Sequence, residues 1–293
     1  MNQRIILVGV ISVVSWALYK YYQESEQYFD EATHYKYAAE YFIGDDRMHP
    51  RRPFLWVHYN AGKEDPPYLV LTMKSILEKC KESFNVCLID DDVFRRLIPH
   101  WAVKMDALPS PLKEHYRQFA LTSLLYYYGG LLVPASTLCL QDLHGLYKNA
   151  LANRSAFAVE TANRGTSAAA FLPDPRFMGC AKRSDLMKGL MEYQGALIKA
   201  DHTEEADFLS SVALWCTAKM ALVDGRSIGV KKACGAPLDL SELLGNNPFD
   251  LHPDASAIYL PADEILKRHK YGWFARISQR ELLQRDLAVA KYF

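Results

Sequence analysis

HYRQFALTSLLYYYGGLLVPASTLCLQDL, from His115 to Leu143, is the stretch on which the reading of this chain depends. It predicts an apolar helix, a Gly129-Gly130 turn, an apolar strand and a polar break at Pro134-Ala135-Ser136. No charged side chain stands between Gln118 and Gln141, so most of the stretch must lie in a core or in lipid. The lipid reading is weakened by Thr122, Ser123, three tyrosines, two glycines and a proline within the run, a composition that suits a buried helix-turn-strand unit better than a membrane span. In α/β proteins chemistry gathers where such a unit ends, which makes the break a candidate site.

Toward the N-terminus, Phe54 to Tyr59 (FLWVHY) and Val86 to Ile89 read as strands. Between them, Tyr68 to Lys81 reads as a helix with Leu69, Met73, Ile76, Leu77 and Cys80 on one face. Strand, helix, strand at this spacing is a βαβ unit, which implies a parallel sheet with a right-handed crossover. The second strand runs into Asp90-Asp91-Asp92. Carboxylates at the carboxyl ends of strands face the ligand crevice in open α/β sheets, so the triplet is a candidate for binding a ribose, a base or a metal. The alternative is that Asp90 or Asp91 caps a helix that begins near Val93 and continues through Arg95 to Trp101. Leu108-Pro109-Ser110-Pro111 then breaks the chain before a helix over Lys113 to Tyr128.

Beyond Asp142 the pattern predicts a short helix, a strand at Ala156 to Val159, and a surface loop in ETANRGTS. Helices follow over Ser184 to Lys199 and Glu204 to Leu222, then short strands in SIGVKKA and AIYLP, and a last helix over Gln279 to Ala290. Asn153-Arg154-Ser155 forms a glycosylation sequon, meaningful only in a lumen. No internal repeat and no linker interrupts residues 53–293, which read as one α/β domain.

Ile5 to Tyr19 (IILVGVISVVSWALY) is an uncharged run bracketed by Arg4 and Lys20. Its 15 residues would span roughly 22 Å as a helix, and snorkelling of Arg4 and Lys20 with the flanking aromatics could extend that toward a bilayer's width. No small-x-small cleavage site follows, which favours an uncleaved anchor over residues 1–22. Residues 23–52 read as a stem that either holds the domain off a membrane or packs on it as an extra helix. A single-pass membrane location follows as the expectation, in an ER- or Golgi-type lumen or a virion membrane.

With 293 residues, half of them hydrophobic, the chain can bury a sizeable core. Lys and Arg number 34 and Asp and Glu 34, so no basic excess exists to neutralise a nucleic-acid backbone, and nucleic acid is not an expected partner. Cysteines at 80, 87, 139, 180, 216 and 234 show neither a CxxC pair nor zinc-site spacing.

With its elements in this order the chain resembles the capsular-polysaccharide-synthesis family of glycosyltransferases, relatives of the group named for a DXD sugar-binding region. The residues that carry the resemblance are FLWVHYN at 54–60, MKSILEKC at 73–80, FNVCLIDDD at 84–92, HYRQFALTSLLYYYGGLLVPAST at 115–137 and, more loosely, FMGCAKRSDLMKGLMEY at 177–193. The resemblance implies a GT-A-type fold, with a Rossmann-type mixed sheet flanked by helices, and a nucleotide-sugar or glycan as ligand. In that family the triplet after the strand begins with Asp, because a carboxylate-held Mg2+ or Mn2+ neutralises the departing diphosphate. Pro134 and Ala135 replace it here. The helix of the family carries an Asp and, three residues on, an Arg; Gln118 and Leu121 stand in those places.

What remains for a nucleotide-sugar site is Asp90, Asp91 and Asp92, with Arg117 and Ser136 for phosphate contact. Asp142 and Asp207 are spare carboxylates whose simpler roles are in helix capping and the helix dipole. His58 is either a satisfied core histidine or a crevice residue. No metal site and no cofactor are expected, Mn2+ or Mg2+ entering only if the site is active. Three function readings follow: a membrane-anchored glycosyltransferase-like scaffold or interaction module with a degenerate DXD motif; an active, metal-independent glycosyltransferase; and a structural membrane or virion protein. Protein partners belong to the first and last.

Overall fold

The computed structural model describes residues 29–44, 47–62, 65–163, 170–200 and 205–293. The expected anchor and residues 23–28 of the stem lie outside the described residues. Among those described, no helix is long and apolar enough to cross a membrane.

In chain order the elements are α1 (Glu31–Ala39), β1 (Phe54–His58), α2 (Pro67–Cys80), β2 (Asn85–Ile89), α3 (Phe94–Leu97), α4 (Leu112–Tyr128), β3 (Gly130–Pro134), β4 (Thr137–Cys139), α5 (His144–Leu151), β5 (Ala156–Asn163), β6 (Ala170–Cys180), α6 (Asp185–Lys199), α7 (Glu205–Lys219), β7 (Ala221–Val223), α8 (Leu240–Leu243), β8 (Ala257–Tyr259), α9 (Ala262–Lys267), α10 (Gly272–Arg276) and α11 (Gln279–Gln284). Six strands form one mixed sheet in the order β2-β1-β3-β6-β5-β7, and β4 pairs with β8 in a second, two-stranded sheet. β1 lies parallel to both β2 and β3, as the βαβ reading requires. β6 runs antiparallel between β3 and β5. The result is a mixed α/β fold with a central mixed sheet flanked by helices.

Strand alternation sends residues of β1 and β3 into two cores. Phe54, Trp56 and Leu132 enter one core with α4, α6 and α7. Leu55, Val57, Leu131 and Val133 enter the other with α2 and α5. Because both faces are covered, these strands read as continuous apolar runs rather than alternating ones. A third cluster packs β8 and the short C-terminal helices against Tyr68 and Leu69 of α2.

Two buried hydroxyls of α4 are satisfied within the helix itself. The Thr122 hydroxyl donates to the Gln118 carbonyl at 3.0 Å and that of Ser123 to the Phe119 carbonyl at 2.8 Å. This explains how the uncharged C-terminal part of the helix can carry hydroxyls into a core. At its end Gly129 and Gly130 take φ values of 70° and 101°, which admit the sharp entry into β3 at little steric cost. The Trp56 indole donates to the Gly129 carbonyl at 3.0 Å and ties this turn to β1.

Several expectations are corrected. The helix expected to run to Trp101 stops at Leu97, because Ile98 precedes a proline and is extended. The last helix ends at Gln284, where Arg285 turns extended. SIGVKKA forms a 3-10 turn over Gly225–Ile228 closed by left-handed Gly229, not a strand. The helix expected to reach Leu222 ends at Lys219, since Ala221–Val223 join the sheet. β6 is an addition: Pro173 and Pro175 argue against a strand in the sequence, and the structure keeps Pro173 opposite Glu160 and places Pro175 in a register shift, where Ala158 faces Met178 but Val159 faces Asp174. The stem, for which two readings stood open, packs on the body over residues 29–44 and 47–52, through α1 and through a β-bridge between Phe42 and Cys87.

Candidate functional site

A cavity of about 530 Å3 opens at the carboxyl ends of β1 and β3. This is where ligands sit in open α/β sheets. Its floor is Leu132, Val133, Pro134, Ala135 and Ser136 of β3 and the break. One wall is Glu114, Arg117, Gln118 and Leu121 of α4, and the other is Arg176, Asp263, Leu266 and Lys267. β3 loses its partner on one side beyond Leu132, the last residue paired with β6, and the divergence of these two strands makes the opening.

The three consecutive aspartates separate into three environments. Asp90 accepts from the backbone N–H groups of Asp92 at 3.0 Å and Val93 at 3.3 Å, which makes it a turn and cap residue. Asp92 is exposed. None of the three lines the cavity itself; Asp91 is bonded to His58 and Arg117, which do. Asp91 turns inward and is only 7% exposed. Its carboxylate takes two hydrogen bonds from Arg117, from Nε at 2.7 Å and Nη2 at 2.6 Å. It also takes one from His58 Nε2 at 3.0 Å, and Lys113 Nζ stands 3.8 Å away. Burial alone pushes the Asp91 carboxyl up, but the hydrogen bonds of Arg117 and His58 outweigh it and hold the group well below the usual carboxylate range.

Asp91 and Arg117 are therefore engaged with each other, as a bidentate pair. The sequence assigned them to separate roles, nucleotide side and phosphate side; the fold makes them one charge-neutral unit with His58 attached. Gln118 is buried and donates to the Pro175 carbonyl at 2.8 Å, so the position that holds an Asp in the resembled family here fastens α4 to the β6 bulge. Leu121 is buried as well, at the rim of the apolar core. The Ala135 carbonyl accepts from the Thr72 hydroxyl at 2.6 Å, which fixes the break against α2, and Ser136 lines the cavity. Asp142 closes the turn before α5, accepting from the His144 N–H at 3.0 Å and the Ser83 hydroxyl at 2.7 Å, while Leu143 is the N-cap residue. Asp207 belongs to the helix Glu205–Lys219, but its side chain lies outside the described residues.

A second charged cluster, missed in the sequence, faces the first across the cavity. Arg176 donates to Asp174 from Nε at 3.1 Å and Nη2 at 3.0 Å, and to Asp263 from Nη1 at 2.6 Å. Asp174, only 6% exposed, also accepts the Arg176 N–H at 2.8 Å. The Asp174 carboxylate raises Arg176 far above its ordinary range. For Asp263, burial pushes the carboxyl up while Arg176 draws it down, and the downward effect prevails. The sequence carried one signal of this cluster, the Pro173-Asp174-Pro175-Arg176 interruption of an otherwise apolar run, which marks a bulge. Asp263 arrives from 87 residues away and had none.

The cavity thus presents Arg117 and His58, both bonded to Asp91, the Arg176–Asp263 pair, Glu114 and Lys267 around an apolar floor. Among the described residues no three His, Cys, Asp or Glu side chains are grouped so as to hold a metal ion.

No family model matches the chain, and no curated protein matches it. Among solved structures, one described as "PaToxG Glycosyltransferase" is similar at 11% identity, over 67% of this chain and 76% of that one, with a TM-score of 0.33. At that distance the site has to be read from its own geometry.

Proposed function

We propose that this protein is a GT-A-like relative of the glycosyltransferases that keeps a ligand cavity, has lost metal-dependent sugar transfer, and acts as a membrane-tethered binding or interaction module for a nucleotide-sugar or glycan. One observation carries the reading. At the carboxyl end of β3 the cavity floor is Pro134, Ala135 and Ser136, while the nearest inward carboxylate from β2, Asp91, is already neutralised by Arg117. Hard cations need free carboxylate or carbonyl oxygens, and breaking a bidentate buried pair to supply them leaves an uncompensated charge. Proline at 134 also removes a backbone N–H that could approach a phosphate. The cavity itself is open and mixed in character, with Leu121 and Pro134 beside His58, Arg176 and Lys267, which supports binding rather than a collapsed site.

The test is a titration of the full chain with a panel of nucleotide-sugars, with Mn2+ and again with chelator. Binding of equal strength in both conditions, with no nucleotide diphosphate released, is the expected result. Release of the diphosphate that depends on Mn2+ sinks the proposal. A second reading, metal-independent transfer, is favoured by Lys267 at the cavity wall, where a cation can take over the neutralising role of a metal. It predicts turnover in chelator that Lys267→Ala abolishes.

A further inference from the structure

At the other end of the sheet, where β1 and β3 begin, a separate depression of about 430 Å3 is lined by Arg51, Arg52, Gly129, Gly130, His144, Tyr147, Lys148 and Lys182, with Pro53 and Tyr128. Four cationic side chains from three distant parts of the chain converge there, and no acidic residue is part of the lining. The chain as a whole has no net charge, so the excess is local.

Two of the four are partly offset. Lys182 Nζ lies 2.8 Å from Glu31, and Arg52 Nη2 lies 3.6 Å from Glu82. Arg51 and Lys148 are exposed, and among the described residues neither has an ion pair. The turn that builds the depression is itself constrained. A side chain at Gly129 would meet the Lys182 backbone nitrogen at 2.7 Å, so this glycine lets Lys182 come close against the start of β3.

We infer that this depression binds a phosphate-bearing group, either the headgroup of an anionic lipid or a free phosphate ester. Guanidinium forks and ammonium groups arriving from several directions match the several oxygens of a phosphate dianion better than a single planar carboxylate. The lipid source has an argument of its own. Phe29, where the described chain begins, stacks on Tyr127 at 5.2 Å and meets Tyr128 edge-on at 5.2 Å, with the Arg183 guanidinium 5.0 Å above its ring. Tyr128 and Lys182 are walls of the depression. The apolar run that ends at Tyr19 is ten residues from Phe29, a reach of at most about 36 Å. Were that run to enter a bilayer, the depression would lie within reach of its surface, where basic residues are drawn to anionic headgroups.

The experiment uses the full chain in neutral detergent. A fluorescent, water-soluble, short-chain phosphatidylinositol bisphosphate is titrated by anisotropy, and inorganic pyrophosphate is then added as competitor. The wild type should bind, R51E/K148E should bind about tenfold more weakly or worse, and K74E/K188E, the same charge change on side chains outside the lining of the depression, should bind within about twofold of wild type. Displacement by pyrophosphate near the lipid's own dissociation constant assigns the site to free phosphate esters, and failure of pyrophosphate to displace assigns it to the lipid headgroup. Absence of binding by the wild type, or equal binding by R51E/K148E, overturns the inference. Melting curves accompany each variant, and R51Q/K148Q replaces the charge reversal if R51E/K148E melts early.

Discussion

At the scale of single residues the structure turns on Asp91, one of three adjacent aspartates that the sequence could not tell apart. Consecutive strand-end residues differ only in direction, and direction follows from how the chain leaves the sheet. The Asn60 side chain accepts the Asp91 N–H at 2.9 Å and helps to turn the carboxylate inward to Arg117 and His58. Asp91→Asn removes one partner of a largely buried pair. Because Arg117 keeps partial solvent contact, the expected loss is about 3 kcal/mol at neutral pH, read from urea denaturation. The pH dependence has a definite sign. The folded-state pKa lies below the unfolded value of about 4, so the contribution is complete above that value and is lost as pH falls below it. Thermal melts between pH 6 and pH 3 should show the wild type losing more stability than Asp91→Asn; parallel curves would remove Asp91 from the acid limb. Gly130 is a second residue of this kind. A Cβ there would stand 2.2 Å from the Phe54 carbonyl oxygen at a φ of 101°, so Gly130→Ala should cost at least about 2 kcal/mol, and a melting temperature equal to wild type would contradict the clash.

At the scale of elements, the parts whose pattern is local are those the sequence reveals. β1, α2, β2, α4 and β3 each carry their own periodicity or punctuation, and their expected bounds fall within two residues of those observed. What the sequence hid was set from a distance. β6 contains two prolines and becomes a strand only because β3 and β5 flank it, and Gln118 of α4 supplies a donor for the buried Pro175 carbonyl at its bulge. Gln118 is a structural clasp. Gln118→Met keeps the length and volume and deletes the donor. Leaving the carbonyl unsatisfied should cost about 1–3 kcal/mol, seen as a lower urea midpoint with an unchanged slope. A variant as stable as wild type would mean that solvent reaches the bulge and that the clasp is dispensable.

At the scale of the whole molecule, residues 29–52 decide where the folded body begins. Pro53 marks the boundary in composition, but the contacts cross it. Residues 41–43 pair along the free edge of β2, with the Ile43 N–H on the Val86 carbonyl and the Leu88 N–H on the Tyr41 carbonyl, each at 3.0 Å. They cover an edge that would otherwise offer itself to another chain. Asn85, only 1% exposed, uses its side-chain amide on the carbonyls of His49 and Arg52 at 2.9 Å each and accepts the His49 N–H at 2.8 Å. Glu40 pairs with Arg96 at 2.7 Å, and Phe29 packs on the tyrosines at the end of α4. Removing everything before Pro53 would leave a buried amide with three unmade hydrogen bonds, an open sheet edge and an uncovered aromatic cluster. The amide alone accounts for a few kcal/mol, which for a body of this size corresponds to roughly 10 °C in melting temperature. We therefore expect a fragment of residues 53–293 to melt about that much lower than one of residues 29–293 and to self-associate on size-exclusion chromatography through the bared edge of β2. If the two fragments melt together and both run as monomers, the segment is a tether alone and contributes nothing to the fold.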